Sequence, residues 1–157
     1  MAVRIFLHGL ESGNQGTKAV FFRERYPDMI LPLFTGGLPE RMEELERVLY
    51  GQSGVVIVGS SFGGLMGTLF AMEHESRVRR LVLLAPAVNL LDATPYPKRR
   101  ISVPTWIWHG SNDEVIPLGA VEERAAEIFA DLTFHVVEDD HFLHKTFKTL
   151  DWEALLS

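Results

Sequence analysis

Three residue types that together can activate a hydroxyl group are spread along this chain as Ser61, Asp113 and His141. Ser61 stands in Gly59-Ser60-Ser61-Phe62-Gly63, a Gly-x-Ser-x-Gly pattern present in one register only. A serine hydroxyl is a poor nucleophile near neutral pH and needs a base within hydrogen-bonding reach. Of the six histidines, His8 and His109 each precede a glycine at the end of an apolar run. His74 closes a helical pattern and His135 lies inside a strand pattern, positions that suit packing. His141 falls in a loop after the last predicted strand and is the candidate base, whereas His144 reads as part of the following helix. An imidazole in that role needs a carboxylate to fix its tautomer and stabilise its charged form. Asp113, in His109-Gly110-Ser111-Asn112-Asp113-Glu114, is the best-placed acid. Glu114, Asp92, Asp139 and Asp140 compete. The last two sit too near His141 in sequence to turn easily onto its far ring nitrogen. The plainer roles are a helix cap for Ser61 or Asp113 and a solvated loop position for His141.

The elements around these residues decide whether they can meet. Val55-Val56-Ile57-Val58 is a short, β-branched, wholly apolar run, which predicts a strand buried on both faces. Leu65, Leu69 and Met72 follow at helical spacing, so Ser61 occupies an abrupt strand-to-helix turn. Such a turn exposes the hydroxyl above the sheet and places it beside the free N–H groups of a helix start. Further strands are predicted over Val3–Leu7, Met29–Leu33, Val78–Leu84, Ile101–Trp108 and Leu132–Val137. Pro32 marks the second of these as an edge strand. Helices are predicted from Thr17 through Tyr26, from Glu40 to Tyr50, from Pro117 to Phe129, and from Leu143 to Leu156 with a break near Asp151. Strands and helices alternate without a hairpin signal. The expected fold is therefore α/β: a doubly wound, mostly parallel six-stranded sheet with helices on both faces, built as a single domain over residues 1–157. In such a sheet the loops leaving the strands' C-terminal ends gather on one edge, which brings His8, Ser61, Asp113 and His141 together. Two backbone N–H groups could then face a developing oxyanion, that of Phe62 at the helix start and that of Leu10 after the first strand.

Taken together, His8-Gly9, Gly59-Ser60-Ser61-Phe62-Gly63-Gly64, His109-Gly110-Ser111-Asn112-Asp113 and Asp140-His141 resemble the motifs of the α/β-hydrolase superfamily. The order Ser, Asp, His along the chain is also that family's order. The resemblance implies Ser61 as nucleophile, Asp113 as acid, His141 as base, and Leu10 with Phe62 as oxyanion donors. It implies acyl transfer on a small-molecule ester or thioester, with no cofactor and no metal. Two departures stand out. The hairpin that usually opens the fold is absent, and the usual cap is reduced to roughly residues 88–100, as in the small lidless esterases of the superfamily. With so little cap, Leu90, Leu91 and Tyr96 are expected to wall one side of an open substrate cleft, joined by Leu10 and Phe142.

Composition narrows the alternatives. The chain has 157 residues and no cysteine, which excludes disulfides, thiolate metal sites and a cysteine nucleophile, and fits a reducing cytoplasm. Fifteen Lys and Arg against 21 Asp and Glu give a net charge of −6, which argues against a nucleic-acid backbone as partner. No apolar run approaches the roughly 20 residues that cross a bilayer. Composition leaves a monomer or a small homo-oligomer open. Gly13-Asn14-Gln15-Gly16-Thr17-Lys18 follows a strand and opens a helix, but Thr17 interrupts the Gly-Lys pair that a phosphate-binding loop needs. Lys98-Arg99-Arg100 precedes a strand and so belongs at the edge away from Ser61, as a basic turn. A non-catalytic binding protein on the same scaffold, perhydrolysis, and carbon–carbon bond hydrolysis remain as rival functions.

Overall fold

A computed structural model describes residues 2–157. Five strands form one parallel sheet in sequence order: β1 (Val3–Leu7), β2 (Val55–Ser60), β3 (Val78–Leu84), β4 (Thr105–Gly110) and β5 (Leu132–Val137). The registers align Ile5 with Ile57, Ile57 with Leu81, Leu83 with Ile107, and Ile107 with Phe134. Because side chains alternate along a strand, each strand splits its apolar residues between two layers. Ile5, Ile57, Leu81 and Ile107 face one core, and Phe6, Val56, Val58, Val82, Leu84 and Trp108 face the other.

The first layer is closed by α2 (Leu38–Val48), α3 (Phe62–Glu73) and α4 (Leu118–Ile128), through buried Met42, Leu45, Leu65, Leu69, Val121 and Ala125. The second is closed by α1 (Thr17–Arg25) and the C-terminal segment with α5 (Trp152–Leu155). Here Phe22 is an aromatic hub, with ring centroids 5.3 Å from Phe6, 5.5 Å from Phe147 and 4.9 Å from Trp152. Helices therefore cover both faces, as the alternation predicts.

The expected sixth strand is not formed. Met29–Leu33 keeps a single bridge, Ile30 beside Ile5, through Ile30 N–H to Arg4 O (2.8 Å) and Phe6 N–H to Ile30 O (3.0 Å). Pro32 has no N–H for the next rung, so the pairing stops there. Residues 143–156 are also less helical than expected. They fold as turns, a 3₁₀ turn over Phe147–Thr149 and the four-residue α5, which starts when the Asp151 carboxylate caps Ala154 N–H. The basic turn lies where its position before β4 predicts. Arg99 bonds Met72 O and Arg100 bonds Ala126 O and Glu127 O, so they close the C-terminal ends of α3 and α4.

Candidate active site

β2 runs straight into α3, and Ser61 makes the corner with φ 56° and ψ −117°. A non-glycine residue in that region is strained and persists only when its surroundings hold it. They do: Ser61 N–H donates to Leu84 O at 2.9 Å, and Ser61 O accepts from Gly64 and Ala87 N–H, each at 2.9 Å. The corner also needs glycine on both sides. A Cβ on Gly59 would lie 2.5 Å from Gly63 O, and one on Gly63 would collide with the Leu7 carbonyl.

Asp113 and His141 are brought to this corner from β4 and β5. The side chain of Asp113 is fully buried. Its Oδ1 accepts N–H bonds from Val115 and Ile116, both at 2.8 Å, so the carboxylate shapes its own loop before α4. Its Oδ2 lies 2.8 Å from His141 Nδ1, and His141 Nε2 lies 3.1 Å from Ser61 Oγ. A carboxylate accepts only, so Nδ1 carries the proton and Nε2 is free to accept from the hydroxyl. The three residues singled out in the sequence thus form one hydrogen-bonded series.

The His141 loop is built by the two aspartates before it. Buried Asp139 accepts from Lys145 N–H (3.0 Å) and Thr146 N–H (2.8 Å), and Asp140 accepts from Phe142 N–H (3.0 Å). Asp140 also holds His144 Nδ1 at 2.6 Å, so that imidazole, which lines the same cavity, is bonded within its own loop. The His144 contact holds the Asp140 carboxyl below its usual range, against an opposing effect of burial. The loop can sit this close because residue 110 is glycine: a Cβ there would lie 2.6 Å from Asp140 O. Sequence reading identified the acid competitors but missed this scaffolding role. The signal was present as two adjacent aspartates, a residue type whose side chain accepts from backbone N–H groups a few residues on.

His8 is buried at the end of β1 with both ring nitrogens engaged. Nδ1 lies 2.6 Å from Gly9 O, and Nε2 accepts from Phe34 N–H at 2.9 Å. Burial pushes its pKa below the ordinary histidine value, with the Gly9 carbonyl acting in the opposite direction. The turn it braces passes beside Ser61, since a Cβ on Gly9 would lie 3.3 Å from Ser61 Cβ. The Leu10 and Phe62 N–H groups belong, respectively, to this turn and to the first residue of α3.

A cavity of about 670 Å³ opens from Ser61 and His141 between α1 and residues 142–148. Its walls include Phe6, Leu10, Ala19, Val115, Phe142, Leu143 and Phe147, with Thr17, Lys18 and Lys148 among its polar edges. Lys18 Nζ donates to Phe142 O at 2.7 Å and ties α1 to the His141 loop. Burial lowers the Lys18 pKa, opposed by nearby Asp140 and Asp139.

Leu10 and Phe142 stand where the cleft was expected, but Leu90, Leu91 and Tyr96 do not line the cavity. Leu91 is fully buried in the core, Tyr96 packs against that core, and Leu90 is an exposed residue of the 3₁₀ segment Val88–Ala93. The short segment after β3 is drawn down onto α3 and α4, leaving the opposite side open.

Among the described residues, one group of metal-ligand type lies elsewhere: Glu46, Glu73 and His74. His74 Nε2 is already engaged by Glu46 at 2.6 Å, a tie between α2 and the end of α3. No helix among the described residues is long and apolar enough to cross a membrane.

Comparison with known proteins agrees with this architecture. A family profile described as alpha/beta hydrolase fold matches residues 35–97, the stretch that contains Ser61. A search of curated proteins returned no significant match. Among solved structures, the mouse alpha/beta hydrolase domain-containing protein 10 is 18% identical with a TM-score of 0.74, covering 98% of this chain and 86% of its own. A protein of Xanthomonas campestris pv. campestris assigned to the α/β hydrolase superfamily is 24% identical with a TM-score of 0.77, covering 95% and 93%. Est1E from Butyrivibrio proteoclasticus, solved with ferulic acid bound, is 15% identical with a TM-score of 0.74, covering 99% and 86%. The chain therefore has the alpha/beta hydrolase fold.

Proposed function

We propose that the protein is a serine hydrolase acting on small to medium acyl esters or thioesters, with Ser61 as nucleophile, His141 as base and Asp113 as its orienting acid. The observation that carries this reading is the unbroken series from Ser61 Oγ to His141 Nε2 (3.1 Å) and from Nδ1 to Asp113 Oδ2 (2.8 Å), set at the mouth of a cavity. Ser61 Oγ attacks the carbonyl carbon while His141 Nε2 takes the hydroxyl proton. The carbonyl π electrons move onto oxygen, where the Phe62 and Leu10 N–H groups stabilise the charge. Collapse of this intermediate breaks the bond to the leaving alcohol or thiol, which receives the proton from His141. Water, deprotonated by the same imidazole, then attacks the acyl-Ser61 ester and releases the acid. Every proton is handled by the imidazole, so the reaction needs neither metal nor cofactor.

The cavity supports an apolar substituent on the ester rather than a long chain. Its open rim carries Leu10, Val115 and Phe142, each more than half exposed. Such a rim suits soluble esters, each buried methylene adding about 0.8 kcal/mol. The bound ferulic acid of Est1E belongs to that protein alone, and it makes aryl-acyl esters a sensible member of a test panel here.

A fluorophosphonate probe tests the reading directly. It should attach to Ser61 in the wild type and fail to attach to Ser61→Ala. Absence of the adduct, or labelling at another serine, would favour a binding protein on this scaffold and overturn the assignment.

A further inference from the structure

The cavity beside Ser61 carries a charge pattern that acyl transfer alone does not require. In a chain of net charge −6, its charged lining is Lys18, Lys148 and Glu11, an excess of cation. The imidazoles in its wall are the proposed base His141 and His144, which Asp140 already engages. Among the described residues, neither lysine forms an ion pair. Arg4, Arg47, Arg99 and Arg124, by contrast, are each matched by a carboxylate.

Lys18 is the better placed of the two. It projects from α1, and its Nζ donates to Phe142 O at 2.7 Å, one residue beyond the proposed base. An ammonium has three N–H donors, and this carbonyl takes one. Two carboxylates act on it through space, and both are engaged elsewhere. Asp139 accepts from Lys145 and Thr146 N–H, and Asp140 holds His144. The Phe147 ring centroid lies 5.4 Å from Nζ, and buried Phe6, Ala19 and Leu143 share the apolar wall. Burial strips part of the ammonium's hydration, which lowers the Lys18 pKa, and one neutral carbonyl is its direct acceptor. An incoming anion would supply the missing acceptors as charge-assisted hydrogen bonds.

We propose that Lys18, with Lys148 adding charge at the exposed edge, makes the cavity selective for esters or thioesters whose bound portion is apolar along its length and anionic at its end. The inference rests on the proposed role of Ser61 and adds to it the chemical class of the substrate. The anion belongs either to the acyl group or to the leaving alcohol or thiol, and the test has an arm for each.

Two pairs of esters differ only in a terminal methyl or carboxylate. Methyl hexanoate against monomethyl adipate probes the acyl side, and hexyl acetate against the acetate ester of ω-hydroxyhexanoate probes the alcohol side. Each kcat/KM is divided by the rate constant for hydroxide hydrolysis, which removes intrinsic reactivity. In the wild type the anionic member of at least one pair should be favoured about tenfold, as a charge-assisted hydrogen bond permits. Lys18→Met should bring that ratio close to one, and Lys18→Arg should keep most of it. If Lys18 only ties α1 to the His141 loop, Lys18→Met lowers both esters alike. An unchanged ratio in Lys18→Met therefore overturns the proposal. Where Lys18→Met does not fold, Lys18→Gln takes its place. Absence of a preference in both wild-type pairs overturns the proposal without any variant. An arm independent of turnover titrates the same four esters into Ser61→Ala protein by NMR. The anionic member of at least one pair should bind about tenfold more tightly, and equal affinities in both pairs overturn the proposal. Failure of the parent reading shows differently, as missing fluorophosphonate labelling with this binding difference intact.

Discussion

Two segments leave the carboxyl edge of the sheet on either side of Ser61, and they fill their space in opposite ways. The segment after β3 turns inward. Val88 and Leu91 are fully buried, and a Cβ on Gly64 would meet Pro86 at 2.6 Å, so this side is solid. The segment after β1 stays out. Leu10 is 57% exposed, Gly13–Gln15 makes one 3₁₀ turn with no buried residue, and the cavity opens below it. The difference begins in composition. Ala85-Pro86-Ala87-Val88 offers small and apolar residues where α3 and α4 converge, whereas Glu11-Ser12-Gly13-Asn14 offers little to bury. An apolar residue near a candidate site is thus a wall only when the core does not claim it first.

Variants can separate the centre from its two flanks. The largest effects belong to the centre. Ser61→Ala or His141→Ala should lower kcat by about 10⁶, since such residues act as a unit, and Asp113→Asn by about 10⁴. Steady-state kinetics on one soluble ester, with circular dichroism to check folding, measures both. Near-wild-type turnover in Ser61→Ala would remove the centre from the comparison altogether.

The flanks should respond in opposite currencies. Leu91→Ala, on the packed side, should cost about 2–5 kcal/mol of stability while leaving the order of ester preference unchanged. Thr17→Phe, on the open side, should leave the denaturation midpoint nearly unchanged and lower kcat/KM for aryl-acyl esters about tenfold relative to acetate, a difference of about 1.4 kcal/mol. A large change of acyl preference in Leu91→Ala would show that the segment after β3 walls the substrate after all. The open rim also predicts smooth kinetics through the point at which a substrate aggregates. A sharp rise there would mean that something covers the cavity.

The smallest effect concerns His8, which braces the open side. Burial depresses its folded-state pKa, so near and below the ordinary value of about 6.5 the unfolded chain binds a proton that the folded chain resists. Stability should fall as pH drops through that window and be restored above it. Protonation would also remove Nε2 as the acceptor for Phe34 N–H. Melting temperature followed from pH 7.5 to pH 5 should therefore decline less steeply in His8→Gln than in the wild type. An identical slope would assign the decline to other groups.

Much of this was legible in the chain itself, and the reason is local. Val55–Val58 is continuously apolar because both sheet faces bury it, and the corner at Ser61 needs glycine at 59, where a Cβ would meet the corner's own Gly63 O, and at 63, where it would meet Leu7 O of β1. Alternating strands and helices then dictate a parallel sheet, and a parallel sheet carries Ser61, Asp113 and His141 to one edge. The limits of the Met29–Leu33 strand were partly legible too, since Pro32 cannot donate the next rung. What only the tertiary structure decided was how the space between elements is shared. Leu90, Leu91 and Tyr96 read as a wall because they are apolar and follow a strand. Whether such residues face a cleft or a core depends on α3 and α4, which come from other parts of the chain. The surroundings of the two His-Gly histidines are a similar case. His109-Gly110 looks like His8-Gly9 in sequence, yet His8 engages both ring nitrogens with backbone and His109 leaves one without a partner. That difference arises because Phe34, remote in sequence, reaches His8 Nε2, while no described residue reaches His109 Nδ1, and no local pattern encodes this.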